Sequence, residues 1–572
     1  MPSSNIRLML AVWGVLLFSA PAAPAWSQTA GQIAPPSFRP AGPPSGPGTL
    51  SPAREPDRAA AEEGKRLTVR IGRITVEGAR PELGSATSAI ISPLEGSIVT
   101  AAVIFEAAHA IETAYADAGF VLTRVVVPPQ TLTDGGTTRL VVVDGAIAQV
   151  DITALPASIR RPVGGFLAPL EGRPGLLLSQ IERSLLLAGD TPGSTLRSTL
   201  APGEAPGTTR LVLDARQRPI TGFLSYDNTL SKPLGNSMLG FGLEANSLMG
   251  FGELFYLRAS GYPGRETFDN LPLTRAIAAG VVWPIGFSGL NLNLEATQSL
   301  ATPRKVADAV NFTSDFQRYS ARLRYPVRRE RSATLYVEAA LEAQSERLES
   351  ITPFSSLLSY DDLRVARLSA DGFAALAHGR LVSGRVTFSQ GLSALGARQG
   401  TAAIPLSRQG AESGFSRLEA AARLDQPLLT ALALQVTLRA QTSFGQPLVS
   451  SEQFGLVTAI GLSAFDSGRL QGDSGYVARA ELQSPRSMPA GSLLIGTAPY
   501  LYVAAGMASL TQPTALERPK ISATSWGLGL RLGAAQAAST RGLTVSLEYG
   551  LSNRSDLSKT QDRVTVAAML RF

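Results

Sequence analysis

The sequence predicts a membrane protein of the all-β class, a transmembrane barrel of about sixteen strands preceded by two small α+β units. Three observations carry this. From about Ile220 onward, segments of roughly ten residues alternate apolar and polar side chains and helical periodicity disappears. The last of them, Arg563–Phe572, places Val564, Val566, Ala568, Leu570 and Phe572 on one face and finishes on an aromatic, the ending expected of a bacterial outer-membrane barrel. The N-terminal stretch reads as an export signal.

That signal comprises Arg7, the apolar run Leu8–Ala20, and a small-residue stretch with an A-x-S cleavage pattern at Ala25 and Ser27, so residues 1–27 are expected to be removed. The run is too short for a comfortable membrane span, which needs about 20 apolar residues. Residues 28–66 follow as a Pro-rich tail, with Pro35-Pro36, Pro40, Pro43-Pro44 and Pro47 among Gly, Ala and Ser. Such a composition buries too little apolar surface to offset its ordering entropy, which predicts a linker. Asp57–Arg66 is a possible short helix weakened by Gly64.

Residues 67–147 predict the first α+β unit. A strand spans Leu67–Val76, and a helix over about Thr100–Ala118 aligns Ile104, Ala108, Ile111 and Tyr115 on one face, with Gly119 as its stop. Strands at Leu122–Val127 and Arg139–Val143 flank the turn Asp134-Gly135-Gly136. Residues 148–217 predict the second unit, with helices near Pro156–Leu170 and Ser179–Leu187 and strands at Thr195–Thr199 and Thr209–Leu213. The barrel occupies 218–572. Its clearest strand is Leu290–Thr297, where four apolar residues alternate with Asn291, Asn293, Glu295 and Thr297. Counting such segments yields about eleven before Ser450 and about five after Gly475. A sheet that wide removes its exposed edges by closing.

Composition narrows the function classes. The 572 residues contain no cysteine and two histidines, which leaves out a disulfide scaffold, a thiolate metal site and most transition-metal chemistry. The formal charge of +7 comes from Lys and Arg scattered singly along alternating segments, not clustered as a nucleic-acid footprint. Gly472-Asp473-Ser474-Gly475 matches the surroundings of a trypsin-like nucleophile, but neither His109, in the predicted helix, nor His378, near a predicted barrel turn, is placed to act as base. No Gly-rich phosphate loop followed by Lys occurs, so no enzyme activity and no cofactor are expected.

Four motifs in order resemble the two-partner secretion transporters, the haemolysin/adhesin secretion and activation family. Tyr115, Gly119, Phe120, Leu122-Thr123-Arg124, Pro128-Pro129-Gln130 and Asp134-Gly135 are similar to the first of that family's periplasmic POTRA domains. Gly222 through Tyr226-Asp227-Asn228 resembles the passage from the second POTRA domain into the barrel. Ser450-Ser451-Glu452-Gln453-Phe454 looks like the segment before the long sixth loop, and Gly472-Asp473-Ser474-Gly475 through Arg479-Ala480-Glu481-Leu482 like the strand after it.

The resemblance implies a bacterial outer-membrane protein surrounded by lipid, with its N-terminal domains in the periplasm. Its partner would be a secreted protein taken up unfolded by strand addition at POTRA edges, with Leu122–Val127 and Thr209–Leu213 as candidate edges. A polar lumen including Glu295, Arg322, Arg324 and Glu548 would carry it outward without nucleotide, and the barrel-assembly machinery would insert the barrel through its C-terminal strand. The same superfamily also contains barrel-assembly factors, the alternative reading; a passive porin would not need the two α+β units.

One departure stands out. The family's Val-Arg-Gly-Tyr loop tip aligns with Leu462-Ser463-Ala464-Phe465, so the loop Arg is Ser463; the wall Asp expected to pair with it aligns with Ala504. Losing both members of a buried ion pair costs far less than losing one, at about 3–5 kcal/mol for the orphaned charge. The loop is therefore expected to be held by packing of Leu462 and Phe465.

Overall fold

The computed structural model describes residues 28–39, 67–204, 208–307, 309–468, 470–536 and 541–572. The export signal at 1–27 and the possible helix at Asp57–Arg66 lie outside the described residues.

Residues 28–39 correct the linker reading. They include the one-turn helix α1 (Ala30–Ile33), and they lie inside the barrel, with Ala30 and Phe38 buried against its wall. Their composition cannot build a core, as the sequence implied. The missing stabilisation comes from wall side chains that bind the segment's backbone, which no local pattern encodes.

The first α+β unit has β1 (Thr68–Glu77), α2 (Gly84–Ile91), β2 (Ile98–Thr100), α3 (Ala101–Asp117), β3 (Arg124–Val126) and β4 (Gly136–Val143), in the sheet order β2-β1-β4-β3. The expected face of α3 is the one buried: Ile104, Ala108, Ile111 and Tyr115 meet Ile71, Ile74 and Leu140 of the sheet. Helix α2 and strand β2 were not foreseen. α2 is short, weakly amphipathic and contains several Ser and Thr, so its apolar periodicity is faint.

The second unit has β5 (Ala146–Asp151), α4 (Ala157–Leu167), α5 (Leu178–Gly189), β6 (Ser194–Pro202) and β7 (Thr208–Gln217), in the order β5-β7-β6. This order corrects one expected edge. Thr209–Leu213 belongs to the central strand β7, where Leu211 and Leu213 are fully buried, and the long outer strand is β6.

The barrel closes with sixteen strands when Ser474–Gln483 and Arg486–Ala490 are counted as one strand interrupted at Ser484-Pro485. Eleven precede Ser450 and five follow Gly472, as the alternation implied. Every neighbouring pair is antiparallel, and the seam joins Ile220–Asp227 to Gln561–Arg571. The burial pattern is inverted relative to a soluble protein: Leu323, Leu341, Leu501 and Val503 are exposed on the outer face, while Glu295, Arg322, Glu342 and Glu548 are buried in the lumen. Three strands (Asn311–Arg329, Ala333–Thr352 and Ser356–Ala375) have 19, 20 and 20 residues, well beyond the 9–11 that cross a bilayer, so they project past it. No helix among the described residues is long and apolar enough to cross a membrane.

Candidate functional site: a polar lumen closed from both ends

The lumen is filled from two sides. From the side of the α+β units, residues 28–39 run along the wall. The Ala30 amide donates to Ser314 Oγ at 3.1 Å, and the Gly31 amide donates to Glu346 Oε1 at 2.8 Å. The Gln32 side chain reaches Gln471 Oε1 at 2.6 Å. The segment is extended from Ala34, and Arg39 makes an ion pair with Glu338 at 3.1 Å.

From the opposite side comes the sixth loop, residues 443–473, folded inward as a hairpin in which Phe454 pairs with Gly472. Its base hangs on two buried carboxylates. Glu452 binds Arg367 at 2.6 Å, Arg417 at 3.2 Å and Gln344 at 2.6 Å. Asp473 accepts both 2.7 Å contacts from Arg408 Nη1, the amides of Leu448 and Thr511 at 3.1 and 2.7 Å, and the Gln453 amide group at 3.3 Å. It thereby ties three loops on the far side of the barrel together. Gly475 lets this hairpin approach: a Cβ there would lie 2.5 Å from the Met507 carbonyl oxygen and 3.1 Å from the Phe454 ring.

The tip shows what replaces the expected Arg–Asp pair. Leu462 and Phe465 are buried in one apolar cluster with Tyr500, Tyr502 and Ala504. A polar lock is added to that packing. Wall residue Arg479 donates to Ser463 Oγ at 2.6 Å and to the Gly461 carbonyl at 3.3 Å, and Ser463 in turn donates to Glu548. Arg479 is neutralised by Glu548 at 2.5 Å and Glu481 at 2.7 Å, and its guanidinium lies 3.7 Å from the centre of the Tyr502 ring. Thr565 and Ser552 hydroxyls donate to the Ser463 and Ala464 carbonyls, and Arg563 pairs with Asp466 at 2.5 Å. The polarity of the lock is thus reversed: the wall carries the cation and the loop offers acceptors. Ala504 sits opposite Arg479 in the strand register, so an Asp there would be drawn to Arg479. Sequence reasoning missed Asp466, Arg563 and Tyr500 because their partners are 97 and 48 residues away in the chain, and a loop Asp carries no local signal.

Asp227 and Asn228 close the seam. Asp227 pairs with Ala567 and binds Thr229, while the Asn228 side chain donates to Val564 O at 2.9 Å and accepts from the Val566 amide at 2.8 Å. Phe572 completes the seam through reciprocal backbone bonds with Gly222 at 3.0 and 3.2 Å.

The architecture has clear relatives. A model of the haemolysin secretion/activation protein family ShlB/FhaC/HecB matches residues 207–532, and a ShlB-type POTRA domain model matches 69–145. The chain belongs to the ShlB/FhaC/HecB family. Among curated proteins it is similar to the outer membrane transporter CdiB of Escherichia coli O6:K15:H31 (strain 536 / UPEC), at 25% identity over 262 residues, 45% of this chain and 42% of that protein. CdiB of Dickeya dadantii (strain 3937) is 24% identical over 192 residues, 33% of each. The matched stretch therefore spans less than half of either relative. In fold the chain resembles the structure of CdiB from Escherichia coli, with TM-score 0.67 at 20% identity, covering 91% of this chain and 93% of that one. CdiB from Acinetobacter baumannii gives 0.59 at 16%, covering 96% and 94%. The barrel is an outer-membrane barrel of this family, and its POTRA units lie in the periplasm.

In the first POTRA domain, the motif residues shape the fold. Tyr115 is fully buried and its hydroxyl accepts the Arg80 amide at 2.8 Å, while the Arg80 guanidinium stacks on Phe120. Gly119 takes a φ of +96°, the left-handed stop of α3. Arg124 donates to the Thr123 carbonyl, Gln130 brackets the Arg139 backbone at 2.8 and 2.9 Å, and Pro129 is exposed. The second POTRA domain is docked beneath the lumen. Asp190 holds Arg329 through contacts of 2.7 and 2.9 Å, Arg183 reaches the Pro326 carbonyl, and Phe166 packs edge-on against Phe287. Burial pushes the Asp190 carboxyl above the usual carboxylate range despite Arg329. A cavity of about 580 Å³ leads from Pro162 and Phe166 of this domain to Phe38 and Arg39 in the lumen.

The remaining candidate chemistry falls elsewhere. Ser474 Oγ accepts the Ser443 amide, His109 is exposed on α3 beside Glu112, and His378 lies in the turn after Ser356–Ala375. Among the described residues no group of His, Cys, Asp and Glu could hold a metal ion.

Proposed function

We propose that this chain is the outer-membrane transporter of a two-partner secretion pair, moving an unfolded haemolysin- or adhesin-type exoprotein through its lumen without nucleotide. The observation that carries the reading is the lumen: a polar channel with a POTRA domain docked at its mouth, closed among the described residues by segments of the chain itself that are held through non-covalent contacts. The similar proteins named outer membrane transporter CdiB support it. Capture falls to the free edges of the POTRA sheets, where backbone hydrogen bonds bind a β-prone chain with little sequence demand. The nine-residue strand β6 is the longest such edge; the other edge strands are β5 with six residues and β2 and β3 with three each. The strand ending at Phe572 is the segment the barrel-assembly machinery would engage.

Deleting the gene should remove one large exoprotein from the medium; loss of many barrels from the membrane would instead establish an assembly factor. A photo-crosslinker at exposed Arg197 on β6 should capture the exoprotein several-fold better than one at Arg139 on the central strand β4. Equal yields at the two positions would remove β6 as the capture edge.

A further inference from the structure

The way residues 34–39 lie in the lumen describes a binding site for extended polypeptide. The Phe38 amide donates to Glu295 Oε2 at 2.8 Å, and its carbonyl accepts from Arg322 at 3.0 Å and Asn293 at 3.3 Å. Three residues earlier, the Pro35 carbonyl accepts from Arg318 at 2.9 Å. The hydrogen bonds to Pro35 and Phe38 are all made to main chain, so these donors and acceptors of the wall read backbone there. The Phe38 ring is stacked on Tyr256, with centroids 4.0 Å apart and planes 20° apart, and is covered on its other side by Arg258 at 4.4 Å. Arg39 then meets Glu338.

The frame is built from barrel residues that also hold one another. Glu295 is held by Tyr256 at 2.9 Å and by Arg318 and Arg322 at 3.2 Å each. With the segment in place, Arg322 and Glu295 are nearly inaccessible, at 2% and 6% exposure. If the segment leaves, these donors and acceptors lose main-chain partners but remain held toward the lumen by one another, ready to bind another backbone. Another extended chain entering along the cavity from the second POTRA domain would meet that same frame.

We propose that this cradle (Tyr256, Arg258, Asn293, Glu295, Arg322 and Glu338) is a way-station for the transported polypeptide, selecting extended segments in which an aromatic residue is followed by a cationic one, and that residues 34–39 occupy it as an internal mimic of cargo. This rests on the transport reading. The backbone contacts accept any sequence; the slot between Tyr256 and Arg258 supplies preference for a ring, and Glu338 for a following cation.

The test is single-channel recording on the purified full chain carrying Phe38→Ala, which loosens the internal occupant, with hexapeptides added on the POTRA side. Ala-Pro-Pro-Ser-Phe-Arg, and an unrelated Gly-Thr-Asn-Gly-Phe-Arg, should both block conductance at concentrations about tenfold lower than Ala-Pro-Pro-Ser-Ala-Arg. Adding Tyr256→Ala should abolish the difference. Equal block by Phe and Ala peptides, block by the chain's own sequence alone, or discrimination that survives Tyr256→Ala would each overturn the proposal. Failure of the transport reading registers separately, as an unchanged medium after gene deletion. Discrimination lost while the native chain still secretes its partner would count against the way-station alone.

Discussion

Asp473→Ala should be among the most damaging single substitutions in the barrel, costing about 3–5 kcal/mol because it strands a buried guanidinium. Asp473 is fully buried, and Arg408, itself almost inaccessible, has both of its shortest contacts there. The Thr511 and Leu448 amides lose their acceptor in the same step. Arg408 keeps only the Thr511 carbonyl at 3.0 Å and a longer contact to Glu517 at 3.6 Å. Urea unfolding of the barrel refolded into lipid vesicles reads the loss directly. Ser474→Ala is the informative companion: it removes the hydroxyl's contacts with the Ser443 amide and hydroxyl and should cost about 1 kcal/mol. A nucleophile reading of Gly472-Asp473-Ser474-Gly475 demands the reverse, with Ser474 indispensable to function. If Asp473→Ala unfolds at the native urea concentration, the anchor role assigned to Asp473 is wrong.

The second large effect concerns the loop tip. Ser463→Arg should destabilise the barrel by about 3 kcal/mol or more, because the new cation would be forced beside Arg479 in a buried site. Ala504→Asp in the same chain should recover part of that loss. Position 504 faces Arg479 across the strand pair and lies in the apolar cluster around Leu462 and Phe465, so a carboxylate there neighbours both cations. The pair has to be read as a double-mutant cycle, since the residues share one network and their effects will not add. Limited proteolysis within 457–468 supplies a second reading: Ser463→Arg should open the loop to cleavage and the double variant should close it again. Equal cleavage of the two variants would show that Ala504 and Ser463 are not coupled.

These two sites show what kind of information was local. The barrel was legible because a strand facing lipid on one side and a polar lumen on the other must alternate, and Leu294 outside with Asn293 and Glu295 inside is that alternation seen in three dimensions. Strand number followed from counting it. The helix α3 was legible for the same reason at a different period, and the membership motifs marked Glu452, Asp473 and Arg479 as important without saying what they bind. Strand order within the second POTRA domain was not legible. Leu211 and Leu213 read equally well as an edge or a centre, and only the parallel pairing of β5 with β7 decides it.

By itself the sequence determined that the chain closes a sixteen-strand membrane barrel behind two α+β units, and that the sixth loop lacks an Arg at Ser463 and the wall an Asp at Ala504. Those properties are periodic or positional, so one chain read in order suffices. Tertiary structure alone decided that the Pro-rich segment 28–39 belongs inside the lumen, that the loop lock runs from wall cation to loop acceptor, and that β6 is the long free edge. Each of these depends on partners far apart in sequence: Phe38 meets Glu295 across 257 residues, and Asp466 meets Arg563 across 97. A polar side chain announces that it needs a partner; only the closed barrel says which one is within reach.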